Sequence, residues 1–149
     1  MKTQLFFVIL AIVAGAVLPL QAGLNVQLGK SVHQPIFAAF ASFLIGTVGL
    51  LLYLFVLKFD FSTIAQTKTV SPVVWIAGIL GAFYVAAVII LAPRLGVALT
   101  FVLVVAGQMA VSLVVDHYGL LGLPVKQINW QRLFGVLLLV AGVVLIRRF

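Results

Sequence analysis

Five apolar stretches, Leu5–Leu28, Ile36–Leu57, Val73–Ala92, Gly96–Val115 and Trp130–Ile146, fill most of this 149-residue chain. Crossing the hydrocarbon core of a bilayer takes about 20 apolar residues in a helix, and each stretch is near that length. No Asp, Glu, Lys or Arg lies deep within any of them. Lipid offers backbone groups no water, so a spanning segment must satisfy its own N–H and C=O groups, as a helix does. A soluble domain would need charge to cover its surface. Here 65% of residues are hydrophobic, 7% are charged, and the mean hydropathy is +1.37. The chain reads as an all-α integral membrane protein, one domain of five transmembrane helices over residues 1–149.

Details of the stretches refine this reading. The start resembles a secretory signal, but cleavage after Ala22 would need a small residue where Leu20 stands, and the apolar pattern continues to Leu28. The segment therefore reads as a retained first helix, with a kink expected near its end from Pro19 and Gly23. The last stretch is shorter, and Arg147 and Arg148 can extend it by snorkelling. Trp75 and Trp130 fall where amphipathic rings favour the membrane interface. Small residues recur at close-packing spacing: Ala38, Ser42 and Gly46; Gly78, Ala82 and Ala86; Gly135 and Gly142. Such stripes let helix backbones approach within or between chains.

The net charge of +7 would point to nucleic acid in a soluble protein, but the nine basic residues lie singly or in pairs between apolar runs, as membrane anchors do. With five spans, one side carries Lys2, Lys58, Lys68, Lys126 and Arg132; the other carries Lys30, Arg94, Arg147 and Arg148. Five against four gives almost no orienting bias, so the chain can insert both ways round. Two opposed copies then pair about an axis in the membrane plane, reproducing the inverted repeats that many transporters carry in one polypeptide. The expectation is an antiparallel homodimer, each chain being half of a ten-helix fold. A single fixed orientation is the alternative.

Polar groups within the spans point to a cavity or to helix packing. Gln21 and Asn25 are one turn apart just beyond Pro19; Gln108 lies near the middle of the fourth span, with Ser112 one turn on; Tyr84 adds a phenol to the third. Ser42, Thr47 and Thr100 read as packing groups, because a hydroxyl can satisfy itself on its own helix. An amide has too many donors and acceptors for that. Gln21, Asn25, Gln108, Ser112 and Tyr84 are accordingly the expected lining of a cavity for a neutral or zwitterionic small solute.

Asp116 and His117 close the fourth span. They read first as an interfacial cap, with a gate or coupling pair as the alternative. The two His and two Asp residues are too scattered to predict a metal site, and the lack of cysteine excludes thiolate chemistry. There is no His-Glu-x-x-His helix, nucleophile elbow or phosphate-cradling loop, so the sequence suggests neither an enzyme nor a cofactor. The "GKS" at Gly29–Ser31 lacks the upstream glycines of a P-loop.

The segments "QAGLNVQLGK", "SFLIGT", "LGAFYVAAVIILAPRLGVA" and "VAGQMAVSLVVDHYGLLGLP" resemble the YdcZ-like family of bacterial inner-membrane exporters, in the drug/metabolite transporter superfamily. Gln21, Asn25, Ser42, Gly46, Tyr84, Pro93, Arg94, Gly96, Gln108, Ser112, Asp116 and His117 match its pattern. "SVHQP" departs from the Gly-Ser pair expected before Pro35. The resemblance implies a multi-pass protein of the bacterial inner membrane that moves a small solute. The symmetry of two antiparallel copies favours alternating access about a midplane site, and Arg94, in a tight turn after Pro93, reads as a helix-end anchor. The alternatives are a non-transporting subunit that partners another helical protein, and a passive channel.

Overall fold

A computed structural model describes residues 2–148. Five α-helices follow in chain order: α1 (Lys2–Ser31), α2 (Pro35–Val56), α3 (Ile76–Leu95), α4 (Val97–Tyr118) and α5 (Trp130–Arg148). All five are long and apolar enough to cross a membrane. At 1.5 Å per residue, the 30 residues of α1 reach about 45 Å and the 19 of α5 about 28 Å. Residues up to Pro93 form one compact unit and those from Arg94 onward a second.

In the first unit, α1 runs through Pro19 to Ser31 as one helix, although Pro19 has no N–H for the Gly15 carbonyl. The α1–α2 turn is closed by the Gln34 N–H donating to the Gly29 carbonyl at 2.9 Å, and by the Gln34 side chain accepting from the Ile36 N–H at 3.3 Å. Pro35 then opens α2, where its missing N–H goes unneeded. A Cβ on Gly29 would lie 3.2 Å from the Pro35 Cα, so a side chain there would push the turn apart by a few tenths of an ångström. The departure at "SVHQP" puts His33 at φ 55, the left-handed region that a glycine would enter without strain.

The expected small-residue contacts are met at one end of the α2 and α3 stripes, while Gly135 and Gly142 on α5 both face open space. Ala38, Ala39 and Ile89 are buried together, flanked by Val26, Leu28, Val85 and Ala86. Toward the other end Gly46 and Gly78 face open space. Among the described residues the buried apolar side chains are mostly alanines, while large ones such as Leu24, Phe40 and Phe83 are exposed. This inversion of the soluble pattern fits lipid as the surrounding solvent.

Between α2 and α3 the polar segment folds as 3-10 turns at Phe61–Thr69 and Pro72–Trp75. Asp60 starts the first, accepting from the Ser62 N–H at 2.9 Å and the Ser62 hydroxyl at 2.8 Å. These two bonds hold the Asp60 carboxyl below its ordinary value of 3.8.

The break after α3 corrects one expectation. Instead of a tight turn after Pro93, the helix continues through Pro93 and Arg94 to Leu95. The chain turns at Gly96, with φ 83. The missing N–H of Pro93 leaves only the Ile89 carbonyl without its helical donor, as Pro19 does for Gly15 in α1.

In the second unit α4 ends at Gly119, whose φ of 60 makes a left-handed cap. A Cβ there would come within 2.6 Å of the Val125 side chain. α5 begins after Asn129, whose side chain accepts from the Arg132 N–H at 2.9 Å.

Candidate functional site: an amide cluster and an ion-paired helix end

The helical spacing of Gln21 and Asn25 turns both amides toward α2, where Ser42 meets them. Gln21 Nε2 donates to the Ser42 hydroxyl at 3.4 Å and Asn25 Nδ2 at 3.3 Å. Asn25 is nearly buried, at 8% exposure. Ser42 fills its packing role across helices rather than on its own, its oxygen serving as the shared acceptor that joins α1 to α2. Thr47 and Thr100 do behave as packing hydroxyls, donating to the Phe43 and Gly96 carbonyls at 2.8 Å each. A cavity of about 220 Å³ adjoins the cluster, its lining including Gln21, Ser42, Gly46, Thr47, Leu50 and Val85. The amide oxygens of Gln21 and Asn25 accept no hydrogen bond among the described residues, and of the two amides only Gln21 lines this cavity. Tyr84 is half-buried one residue before Val85.

On α4 the predicted polar face holds Gln108 and Ser112, both exposed. Ser112 lines a second cavity, of about 420 Å³, with Met109, Leu113, Asp116, Arg132 and Gly135. Gln108 is not part of that lining. Arg94 occupies the exposed last turn of α3, where a cation is favoured by the helix dipole.

Asp116 and His117 fasten the loop that follows α4. The Asp116 carboxylate accepts from Arg132 Nη1 at 3.2 Å, and the same Nη1 donates to the Lys126 carbonyl at 3.1 Å. The Lys126 N–H in turn donates to the Asp116 carbonyl at 2.8 Å, so Lys126 is gripped from both sides. His117 Nδ1 accepts from the Ile128 N–H at 3.3 Å, which places the ring proton of the neutral imidazole on Nε2. Sequence reasoning missed Arg132, which it counted only as a topology charge. The available signal was scarcity: one of two carboxylates in the chain stands at a helix end, and a guanidinium opens the next helix. Among the described residues no three His, Asp or Glu side chains gather as metal ligands.

No curated protein and no solved structure matches this chain. One protein family does, described as "Putative inner membrane exporter, YdcZ", and the match runs over residues 6–145. That range takes in the amide cluster, the α3–α4 break and the ion-paired helix end. With nearly the whole chain matched and five membrane-length helices, the protein belongs to the YdcZ family of inner-membrane exporters.

Proposed function

We propose that the five helices act as one membrane unit, and that two copies inserted in opposite orientations form an antiparallel homodimer. This dimer exports a small neutral or zwitterionic solute by alternating access. Gln21, Asn25, Tyr84, Gln108 and Ser112 line the path, Asp116 and His117 gate it, and Arg94 anchors the end of α3. The observation that carries the reading is Gln108. It stands at the middle of a 22-residue apolar helix, exposed and without a hydrogen-bond partner among the described residues. An amide left to face hydrocarbon is expensive, so Gln108 calls for another helix of this chain or of a second copy, a solute or a water-filled path. An inverted partner would present the same amide again across a two-fold axis.

Two experiments test this. A single cysteine at Thr67, in a chain with no native cysteine, labels from both sides of the membrane if insertion is dual; one-sided labelling overturns the dimer proposed here. A thermal-shift screen of small solutes on purified protein identifies a ligand. Uptake of that solute into proteoliposomes then saturates and is lost in Gln108→Leu without loss of fold. Uptake that survives replacement of Gln21, Asn25 and Gln108 together removes the site assignment.

A further inference from the structure

The cavity between α4 and α5 has a polar end and an apolar end. Asp116 lies in the last turn of α4 and Arg132 in the first turn of α5, with side chains 34% and 31% exposed. Met109 lies two turns deeper in the span, about 10 Å along the helix axis. Ser112, Leu113 and Gly135 line the cavity with them. Only Arg132 Nη1 and one Asp116 oxygen are engaged in their mutual contact. The second guanidinium nitrogen, Nε and the other carboxylate oxygen have no partner among the described residues.

We propose that this cavity binds a zwitterionic amphiphile, its ammonium on Asp116, its phosphate on Arg132 and its apolar chain running past Leu113 and Met109. The charge logic follows from the pair itself. Asp116 and Arg132 sum to zero, so a singly charged ligand that approaches one of them meets a like charge beside it. A ligand carrying both charges lies antiparallel to the pair and gains at each end. The planar guanidinium keeps an edge suited to a phosphate oxygen pair. A headgroup alone would leave the deeper, apolar part of the 420 Å³ unfilled. The chain supplies the contact there. Gly135 keeps the space open, since nothing lies within 4 Å of a Cβ built on it. The site shares Asp116 and Ser112 with the transport path proposed above, but its occupancy is an equilibrium property that stands or falls without any measurement of uptake.

The test is calorimetric titration of the full chain in maltoside micelles with dihexanoyl phosphatidylethanolamine. Saturable binding is expected, at least tenfold weaker for Gly135→Leu, which fills the cavity while leaving the ion pair in place. Gly142→Leu, two turns along the same helix and also facing open space, leaves binding unchanged. Arg132→Gln also weakens it tenfold or more, and Gly135→Leu keeps the proposal testable if that variant fails to fold. Dihexanoyl phosphatidylglycerol, with its net negative charge, binds at least fivefold more weakly, and free phosphoethanolamine at least tenfold. Undiminished binding to Gly135→Leu overturns the location. Equal binding of the anionic lipid overturns the charge pairing, and equal binding of the free headgroup overturns the amphiphile in favour of a soluble zwitterion. No saturable binding to the unaltered chain overturns the site altogether.

Discussion

Breaking the Asp116–Arg132 pair should expose how strongly the α4–α5 connection depends on it. Two unit charges about 4 Å apart interact by about 4 kcal/mol at an effective dielectric of 20. Each side chain here keeps about a third of its exposure, and exposed pairs contribute only about 0.2–1 kcal/mol. A coupling of about 1–2 kcal/mol lies between those limits. Arg132 also donates to the Lys126 carbonyl, a bond worth about 1 kcal/mol that does not involve the Asp116 side chain. Arg132→Met is therefore expected to lose about 2–3 kcal/mol and Asp116→Asn about 1–2 kcal/mol. The double variant loses about as much as Arg132→Met alone, because the second change removes an interaction already gone. Reversible unfolding in mixed micelles of rising anionic-detergent fraction measures all four corners of the cycle. Amide exchange gives the local readout, with the Lys126 and Ile128 N–H groups exchanging faster in Arg132→Met. Added salt should shrink the coupling, since the pair is partly exposed. Losses that simply add, to within about 0.3 kcal/mol, would show that the 3.2 Å contact carries no net energy.

Ser42→Ala removes the shared acceptor of Gln21 and Asn25, and should cost about 0.6–1.7 kcal/mol in the same unfolding assay; Thr47→Ala, whose hydroxyl bonds its own helix, stays within about 0.5 kcal/mol. Gly119→Ala should lose about 1–3 kcal/mol, because φ is 60 and the new Cβ strikes Val125, and a melting temperature equal to that of the parent would refute the left-handed cap. The Asp60 carboxyl is depressed below 3.8 by its Ser62 bonds, so its contribution is present above that value and disappears as pH falls through the lower folded-state value. The protection of the Ser62 N–H, relative to its intrinsic exchange at each pH, should fall in that acid window, and Asp60→Asn should abolish that fall.

The five spans could be read from sequence because a bilayer imposes both length and apolarity on each segment, independently of what it packs against. Their edges were less legible. The helix passes through Pro93, as α1 passes through Pro19, and stops at Gly96, since one lost hydrogen bond is tolerated whereas a φ of 83 cannot continue a helix. The same divide runs through the site. Spacing alone put Gln21 and Asn25 on one face, but their meeting with Ser42 depends on how α1 crosses α2, which no local pattern encodes. Asp116 and Arg132 lie sixteen positions apart across an irregular loop, and counting charges by side of the membrane hid their pairing.

The lengths of α1 and α5 have a consequence for the bilayer itself. Their apolar portions, Leu5–Leu28 and Trp130–Ile146, span about 36 Å and about 26 Å, on either side of a hydrocarbon thickness near 30 Å. No single flat bilayer thickness suits both, so the mismatch is met by tilt, kink or local thickening at α1, and by thinning at α5 or by Arg147 and Arg148 reaching outward. Hydrophobic mismatch is thereby written into one small chain. Acyl-chain length becomes a control variable for this protein: short-chain bilayers suit α5 and increase the mismatch at α1, and long-chain bilayers do the reverse.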